Sequence, residues 1–384
     1  MRITDCATYL VAVPSRREHA WASKMDAPIG HHAIVRLDTD EGLSGWGEAP
    51  AIATWGGPNM RYYGETPETV RHIVSAHLLP AIRGADPLEI AVLHQRMDKV
   101  VKGHPYAKAA LDIACHDLAG KALGLPVWKL LGGMHRDRIE VAHSLGIMSI
   151  ERCVAEAAEA VAEGIRTIKC KTGLDPARDV ELVRQLRESI GDDVKIRVDA
   201  NEGYPTVWAA VETTKQQEQY GIFLCEQPVA GTRALAEVAR RIETPIMADE
   251  SAWTATDILE LADARAAATF SCYVTKPGGL WRARQQAELA ATLGFTSDIG
   301  GSIELGIGNA ANLHLGAALE IAVLPSVCPV TKPTGTNGPN IAGVYYLDDI
   351  VTEPFAFEDG HLRVPSGPGL GVEVDTEKVA RYAI

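Results

Sequence analysis

One pattern, repeated from about residue 138 to residue 328, constrains the fold more than any other feature of the chain. A short apolar or β-branched run is followed by a loop, and helical patterns separate one run from the next. The eight runs are RIEVAHSLGI, TIKCKTG, VKIRVDAN, IFLCEQP, PIMADES, ATFSCYV, FTSDIGGS and IAVLPSV. Strands that alternate with helices are typical of parallel sheets, so the pattern predicts an α/β fold of the TIM-barrel type.

The helices between the runs have their own signals, which are clearest after residue 174. Asp175 can cap a helix, and Pro176 suits its first position. Val180, Val183 and Leu186 then recur on one face. This stretch predicts an amphipathic helix that lies on a sheet.

The chain has 384 residues, more than the roughly 250 of a typical barrel, so we expect additional structure. Residues 1–130 have alternating strands first and helices afterwards, which predicts an α+β domain. Residues 131–345 would form the barrel. Residues 346–384 are rich in strand and turn patterns, and we expect them to return to the first domain.

The charge balance excludes some classes of partner. Lysine and arginine number 37 against 50 aspartates and glutamates, a formal charge of −13 without a basic run. Nucleic acid and anionic membranes are therefore not expected partners. No stretch reaches the roughly 18 apolar residues of a membrane helix, and the N-terminus lacks the pattern of a signal peptide. Seven cysteines without a C-x-x-C motif favour free thiols in a cytoplasmic protein.

Two lysines share one face of the run TIKCKTG. Side chains alternate along a strand, so Lys169 and Lys171 point the same way while Cys170 points the other way. The cysteine fits the side that faces the helices. The lysines would then point into the barrel, at the end of the strands where barrel active sites lie.

The next three runs each end in a carboxylate: Asp199, Glu226 and Asp249. Their separations are about one β/α unit each, which predicts adjacent strands and one common height. Any one of them alone would also suit a helix cap or a surface ion pair. Three converging carboxylates need a cation, and ligation by oxygen alone favours Mg²⁺ over zinc or copper. Such a cation would hold a substrate carboxylate while Lys171 removes the α-proton, with Lys169 lowering the pKa of Lys171.

These residues occur in an ordered set of motifs that closely resembles the muconate lactonizing enzyme subgroup of the enolase superfamily. The similarity runs nearly end to end and includes RLDTDEGLSGWGEA, AALDIACHDLAGKALGLPVWKLLGG, VDAN, EQP, ADES, GGSIELGIGNAANLHL and DGHLRVPSGPGLGV. It implies a modified (β/α)7β TIM-type barrel with an α+β capping domain. It also implies a small-molecule carboxylate substrate and a homo-oligomer.

The resemblance also assigns roles to individual residues. It implies that Asp199, Glu226 and Asp249 bind one Mg²⁺ per subunit and that Lys171 is the base. Glu304 would lie near the substrate carboxylate, and Asn201 and Glu250 would support the metal ligands. The specificity loops would come from residues 14–27 and 50–63, with Trp55, Arg61 and Tyr62 as substrate-binding candidates. Arg61 would pair with a second anionic group or lie in solvent. His19 and His143 could face the pocket, but we interpret both as structural.

The sequence departs from the subgroup on the sixth strand. The position for a second catalytic lysine, five residues before Gly278, is Tyr273. Lys276 is at an odd offset, so alternation predicts the opposite face unless the strand bulges. The related mandelate racemase subgroup would have a histidine at position 300, which here is Gly300. Tyr273 is then an acid for a leaving group, or only a hydrogen-bond donor or wall.

Without a second base, one-base chemistry is favoured. We expect proton abstraction by Lys171 followed by β-elimination, as in a dehydratase, or by cycloisomerisation. The alternative is a racemase or epimerase of an amino acid or its derivative that uses Tyr273 or a shifted Lys276. A non-catalytic binding or scaffold protein is a third class, which metal binding without proton exchange would favour.

Overall fold

The structure of the protein, a computed structural model, describes residues 1–22, 29–56, 62, 64–301 and 303–384. Within this part of the chain, no helix has the length and apolar character needed to cross a membrane. All seven cysteines are free thiols.

The N-terminal part combines an antiparallel sheet with helices. Its strands, in the order β1-β2-β3, are β1 (Ile3–Ala12), β2 (His31–Thr39) and β3 (Ser44–Ala49). Its helices are α1 (Pro67–Ile73), α2 (Leu79–Ile82), α3 (Ile90–Val100), α4 (Pro105–Leu123) and α5 (Val127–Leu130), with a π-helical turn, Val74–Leu78, between α1 and α2. Helix α4 lies directly on β3, because a Cβ at Gly47 would be 1.8 Å from the carbonyl oxygen of Ala110. Glycine is needed there for the close approach.

Seven parallel strands form the central sheet. After the short β4 (Arg138–Glu140), they are β5 (Ala142–Leu145), β6 (Thr167–Lys171), β7 (Lys195–Asp199), β8 (Ile222–Glu226), β9 (Ile246–Ala248), β10 (Thr269–Cys272) and β11 (Thr296–Ile299). They pair in sequence order from β5 to β11. The helices between and after them are α6 (Ile150–Ala162), α7 (Pro176–Ile190), α8 (Val207–Glu218), α9 (Thr232–Ala239), α10 (Ala255–Ala264), α11 (Leu280–Thr292) and α12 (Gly306–Ala318).

The eighth predicted run, IAVLPSV, forms isolated bridges and not a strand. Ala322 bridges Ser297 of β11, and Ser326 bridges Val141 beside β5, both in parallel orientation. The segment therefore hydrogen-bonds to the strands at both edges of the seven-stranded sheet. Pro325 has no amide proton, which explains why a regular ladder does not form.

The C-terminal segment contacts both earlier parts of the chain. Strands β12 (Phe357–Glu358) and β13 (His361–Arg363) form a small antiparallel sheet with β4, and α13 (Thr376–Arg381) follows. The amide of Ala12 donates to the carbonyl of Tyr382 at 2.8 Å, and the amide of Ile384 donates to the carbonyl of Leu10 at 3.0 Å. The end of the chain is thus hydrogen-bonded to β1.

Candidate active site

The central charged residues lie in one row across three adjacent strands. Lys171 at the end of β6 pairs with Asp199 at the end of β7, and Asp199 pairs with Glu226 at the end of β8. We had expected Asp249 at the same height. Glu226 instead pairs with Met247, and Asp249 follows Met247 by two residues. Asp249 follows the end of β9, yet it still joins the group, because it lines one cavity with Lys169 and Lys171.

The two lysines of β6 are paired with these carboxylates. Lys171 Nζ lies 2.6 Å from Asp199 Oδ2 and 2.7 Å from Asn201 Oδ1. Lys169 Nζ lies 2.9 Å from Asp199 Oδ2 and 2.8 Å from Glu226 Oε2. All these side chains are buried. The structure therefore brings Lys169, Lys171, Asp199 and Glu226 together as the sequence predicted.

Electrostatics keep Lys169 positively charged. Burial acts to lower the pKa of Lys169, but the carboxylates of Asp199 and Glu226 outweigh burial and raise the pKa above its usual range. Burial likewise acts to raise the pKa of Glu226, and Arg197 and Lys169 reverse that effect, so the pKa lies below its usual value. A fixed positive charge therefore lies near Lys171, since both lysines are bound to Asp199 Oδ2.

Lys276 corrects one sequence-based expectation. Alternation would have turned it to the opposite face, but β10 already ends at Cys272, so the rule does not reach position 276. The ammonium group of Lys276 is hydrogen-bonded to the Asp249 carboxylate, and it donates to the Asp249 carbonyl at 2.8 Å. It also lies 4.0 Å from the ring centroid of Tyr273. Lys276 therefore belongs to the site.

Tyr273 and Gly300, the two departures from the related subgroups, are in contact. A Cβ at position 300 would lie 2.1 Å from Cε2 of Tyr273, so the ring occupies the space that a side chain there would need. The Tyr273 hydroxyl lies 3.5 Å from Asp249 Oδ2. Burial, followed by the charge of Asp249, raises the pKa of Tyr273 well above its usual value. The phenol is therefore protonated.

The three predicted metal ligands are of the chemical type that a divalent cation such as Mg²⁺ prefers. Asp199, Glu226 and Asp249 supply only oxygen atoms. The charges of all three act on Lys169, and those of Asp199 and Asp249 also act on Glu250. Glu250 is also close, since Asn201 Nδ2 donates to its Oε1 at 2.9 Å while Glu250 Oε2 is buried with no hydrogen bond from the described residues. No three His, Cys, Asp or Glu of the described ranges form a metal-binding cluster as placed. The ammonium groups of the lysines hold the carboxylate oxygens instead.

A small cavity of about 40 Å³ lies beside these charges. Lys169, Lys171, Asp249 and Tyr273 line it. Trp55, predicted to bind substrate, is also in the wall, with its ring centroid 6.0 Å from that of Tyr273.

Glu304 is buried at the entrance to α12. Its Oε2 lies 3.0 Å from the position of a Cβ at Gly301, and Gly301 lines the cavity. The structure therefore places Glu304 next to the cavity, and its implied position near the substrate carboxylate stays a prediction.

The loop residues do not all reach the cavity. Tyr62 donates its hydroxyl to Asp257 at 2.6 Å and stacks on Trp253 at 5.0 Å, so its hydroxyl is directed to the start of α10. Its role in substrate binding stays a prediction. Arg61, also predicted to bind substrate, lies outside the described residues. His143 is structural as interpreted, with Nε2 3.0 Å from Glu156 and Nδ1 accepting from the amide of Gly343.

His19 lines the cavity together with Lys171. From the sequence it could face the pocket, but we preferred to interpret it as structural. A histidine in a predicted specificity loop was the available signal, and contacts from Tyr345 and Ser144, far along the chain, could not be read from it.

Comparisons with known proteins agree with this geometry. Residues 9–132 match the mandelate racemase / muconate lactonizing enzyme N-terminal domain, and residues 152–379 match the enolase C-terminal domain-like family. The chain is 32% identical to muconate cycloisomerase 1 of Rhodococcus opacus over 100% of this chain and 98% of that protein. It is 29% identical to the N-succinyl-L-Arg/Lys racemase of Bacillus cereus, again over 100% of this chain and 98% of that protein.

A solved structure extends the similarity to the fold. The crystal structure of 2-chloromuconate cycloisomerase from Rhodococcus opacus 1CP has a TM-score of 0.89 at 32% identity, with 100% of both chains covered. The α/β fold with a curled parallel sheet thus has solved relatives over its whole length. It is the fold of enzymes of the isomerase or lyase type. The chain belongs to the mandelate racemase / muconate lactonizing enzyme family of the enolase superfamily.

Proposed function

We propose that the protein abstracts the α-proton of a small carboxylate with Lys171 and completes a β-elimination or a cycloisomerisation by one-base chemistry. The observation that carries this proposal is the asymmetry of the cavity. Lys171 lines it directly, whereas the position of a second lysine holds Tyr273, a buried and protonated phenol. Lys276, the other candidate for a second base, is bound to Asp249 and, unlike Lys171, is not among the described residues that line the cavity.

The residues around Lys171 support its role as base. Asn201 and Asp199 each accept a hydrogen bond from its ammonium group and fix its position. Lys169 lies two residues earlier on the same face of β6, and both ammonium groups are bound to Asp199 Oδ2. A neutral amine at that position would remove the α-proton and become an ammonium ion paired with Asp199.

We infer that Asp199, Glu226 and Asp249 hold one Mg²⁺ per subunit, with Glu250 and Asn201 beside them. A cation there would neutralise the charge that develops on the substrate carboxylate. Glu304, next to the cavity, would then contact the substrate on another side. We further infer that segment 321–326 completes a (β/α)7β barrel, because it bridges both edges of the central sheet.

Tyr273 has two possible roles in this proposal. As a protonated phenol it would give its proton to a β-leaving group, or it would only donate a hydrogen bond and form part of the wall. Removal of the hydroxyl in Tyr273→Phe separates these roles. Loss of about 100-fold or more in product formation, with α-proton exchange retained, would assign Tyr273 as the acid.

A racemase or epimerase is the second candidate. It is favoured by the similarity to the N-succinyl-L-Arg/Lys racemase and by Lys276, whose ammonium group lies in the site despite its odd offset. In that case Tyr273 or Lys276 would act on the substrate face opposite to Lys171.

The test is α-proton exchange in D₂O. Small α-amino and α-hydroxy carboxylates are incubated with the enzyme and Mg²⁺, and products are followed by proton NMR and mass spectrometry. Exchange should fall at least about 100-fold in Lys171→Ala. It should be unchanged in Lys195→Ala, because Lys195 is exposed at the opposite end of β7.

Each outcome selects one class of function. Deuterium with retained configuration, or an eliminated or cyclised product, supports one-base chemistry. Deuterium with inversion makes the protein a racemase or epimerase. Mg²⁺ binding without exchange of any compound would point to a non-catalytic binding protein.

A further inference from the structure

His19 lies in the cavity wall and is held by residues of two domains. It is buried, with its ring centroid 5.0 Å from that of Tyr345 and 6.3 Å from that of Trp21. It lines the cavity together with Lys171 and Ser144. The ring therefore faces the space where the proposed substrate would lie.

A guanidinium group fixes the tautomer of this ring. Arg17 Nη1 lies 3.1 Å from His19 Nδ1. Arginine has only donors, so Nδ1 must be the acceptor of this hydrogen bond. A neutral imidazole carries one proton, and that proton is then on Nε2.

Arg17 is itself rigidly placed. Its Nε and Nη2 lie 2.8 Å and 2.7 Å from the two carboxylate oxygens of Glu156 on α6, and Nη2 also donates to the carbonyl of Ser144 at 3.2 Å. Paired bonds of a guanidinium group to one carboxylate restrict its orientation. The helix therefore determines the orientation of the guanidinium group and, through it, the proton position on His19.

Among the residues that the structure describes, the Nε2 proton has only a weak partner. Ser144 Oγ is 3.5 Å away, at the outer limit of a hydrogen bond. Burial, then the charges of Arg17 and Lys171, lower the pKa of His19 well below its usual value, so the ring stays neutral. The cavity wall thus contains an N–H donor that the described residues of the chain do not satisfy well.

We propose that His19 recognises a second oxygen function of the substrate, a hydroxyl, carbonyl or carboxylate oxygen, by donating a hydrogen bond from Nε2. The inference rests on the proposed function, since it assumes that the reacting carboxylate occupies the adjacent charged site. Nε2 cannot accept a hydrogen bond in this tautomer, and Arg17 and Lys171 are positive. The same site therefore disfavours an ammonium group. His19 is a specificity-determining residue that discriminates oxygen-bearing carboxylates from alkyl and amino analogues.

Binding of matched compounds tests this selectivity without turnover. The first set is 2-aminobutyrate, serine and 2,3-diaminopropionate, which differ only in a terminal methyl, hydroxyl or ammonium group. The second set is norvaline, homoserine and 2,4-diaminobutyrate, which places the same groups one carbon further out. In the presence of Mg²⁺, the hydroxyl member of at least one set should bind about five- to tenfold more tightly than its methyl analogue. The ammonium member should bind most weakly.

Two variants assign the preference to His19. His19→Phe removes the N–H at similar size and should abolish the preference for the hydroxyl member. His19→Gln keeps an N–H donor near the position of Nε2 and should restore most of it. His77→Phe, at an exposed histidine of the π-helical turn, should leave the preference unchanged. Equal affinity for all three members in both sets, or an unchanged preference in His19→Phe, would overturn the proposal.

The tautomer is measured independently by NMR of protein labelled with ¹⁵N-histidine. The His19 signals, assigned by their loss in His19→Gln, should show a pyridine-type Nδ1 and a protonated, pyrrole-type Nε2. A protonated Nδ1 would refute the inference whatever the binding data show. Absence of α-proton exchange for every compound would reject the proposed function alone, because neither the affinities nor the spectrum depends on turnover.

Discussion

At the scale of single residues, Tyr273 and any side chain at position 300 would compete for one space. Tyr273 fills the space above Gly300, where any side chain would collide with its ring and with Ser271 Oγ, at 2.1 Å and 2.3 Å from the added Cβ. A histidine at position 300 and a tyrosine at position 273 therefore exclude each other. The ring of Tyr273 thus leaves no room for a second base at position 300.

This coupling predicts the outcome of a double-mutant cycle. Gly300→Ala should lower the free energy of unfolding by about 1–3 kcal/mol, because the added methyl overpacks the ring of Tyr273. In a Tyr273→Ala background the same substitution should cost much less, giving an interaction energy of about 1–3 kcal/mol. Chemical denaturation of the four proteins measures this energy. Strictly additive effects would show that the two residues do not compete for one space.

At the scale of elements, helix α4 of the N-terminal part is hydrogen-bonded to the beginning of α11. Asp112 of α4 accepts hydrogen bonds from the amides of Leu280, at 2.7 Å, and Trp281, at 3.4 Å. A Cβ at Gly279 would lie 2.3 Å from Cγ of Asp112, so this approach requires glycine. Because Gly279 follows Lys276 by three residues, α4 also positions the turn that places the lysine ammonium at Asp249.

His116 adds a pH dependence to this contact. Burial acts to lower the pKa of His116, but the Asp112 carboxylate outweighs it and raises the pKa above the usual value of about 6.5. A raised histidine pKa stabilises the folded state below the unfolded pKa, and that stabilisation is lost as pH rises through the folded pKa. The native protein should therefore lose stability relative to His116→Gln above about pH 6.5, by at most about 1.4 kcal/mol per pH unit.

Denaturation midpoints between pH 5 and pH 9 test this prediction. The exposed His135 provides the control, since His135→Gln should run parallel to the native protein. Parallel curves for His116→Gln and the native protein would contradict the role of His116.

Local sequence patterns predicted an element well where the residues of that element alone determine its bounds. Asp175 caps α7 and Pro176 begins it, as expected from the residues alone. Lys276 was misplaced because alternation applies only within a strand, and the end of β10 is set by tertiary contacts. The orientation of His19 depends on Arg17, which is oriented in turn by Glu156 of α6. Glu156 is more than one hundred residues away from His19 in sequence. No local pattern contains that information.

At the scale of the whole molecule, three parts of the chain meet at the start of α12. Glu48 of β3 accepts hydrogen bonds from the amides of Leu305 and Gly308, both at 2.7 Å. Asp349 of the C-terminal segment accepts from the amide of Gly306 at 3.0 Å. Carboxylates suit the unpaired amides and the positive end of a helix dipole. Together they fix the helix that follows Glu304, so distant segments hold one wall of the site.

The carboxylate of Asp349 makes this junction sensitive to pH. Burial, with a contribution from the nearby charge of Glu48, raises the pKa of Asp349 to about 7. The folded state then binds a proton that the unfolded state has lost between about pH 4 and pH 7, so stability falls as pH rises through this window and is constant above it. Asp349→Asn keeps the acceptor oxygen but removes the titration. The variant should therefore gain stability relative to the native protein from pH 4 to pH 7 and no further above pH 7.

The adjacent Asp348 supplies a control of opposite sign. Burial acts to raise the pKa of Asp348, but the hydrogen bonds from Lys378 and Tyr382 outweigh it and hold the pKa below its usual range. Its stabilising contribution is already complete above about pH 4 and is lost only as pH falls further. Asp348→Asn should therefore be less stable than the native protein by a constant amount from pH 5 to pH 9. Guanidinium denaturation measures these stability differences. If the difference between Asp349→Asn and the native protein were also constant from pH 5 to pH 9, the Asp349 carboxylate would be ionised throughout that range. The junction would then have no role in the pH dependence of stability.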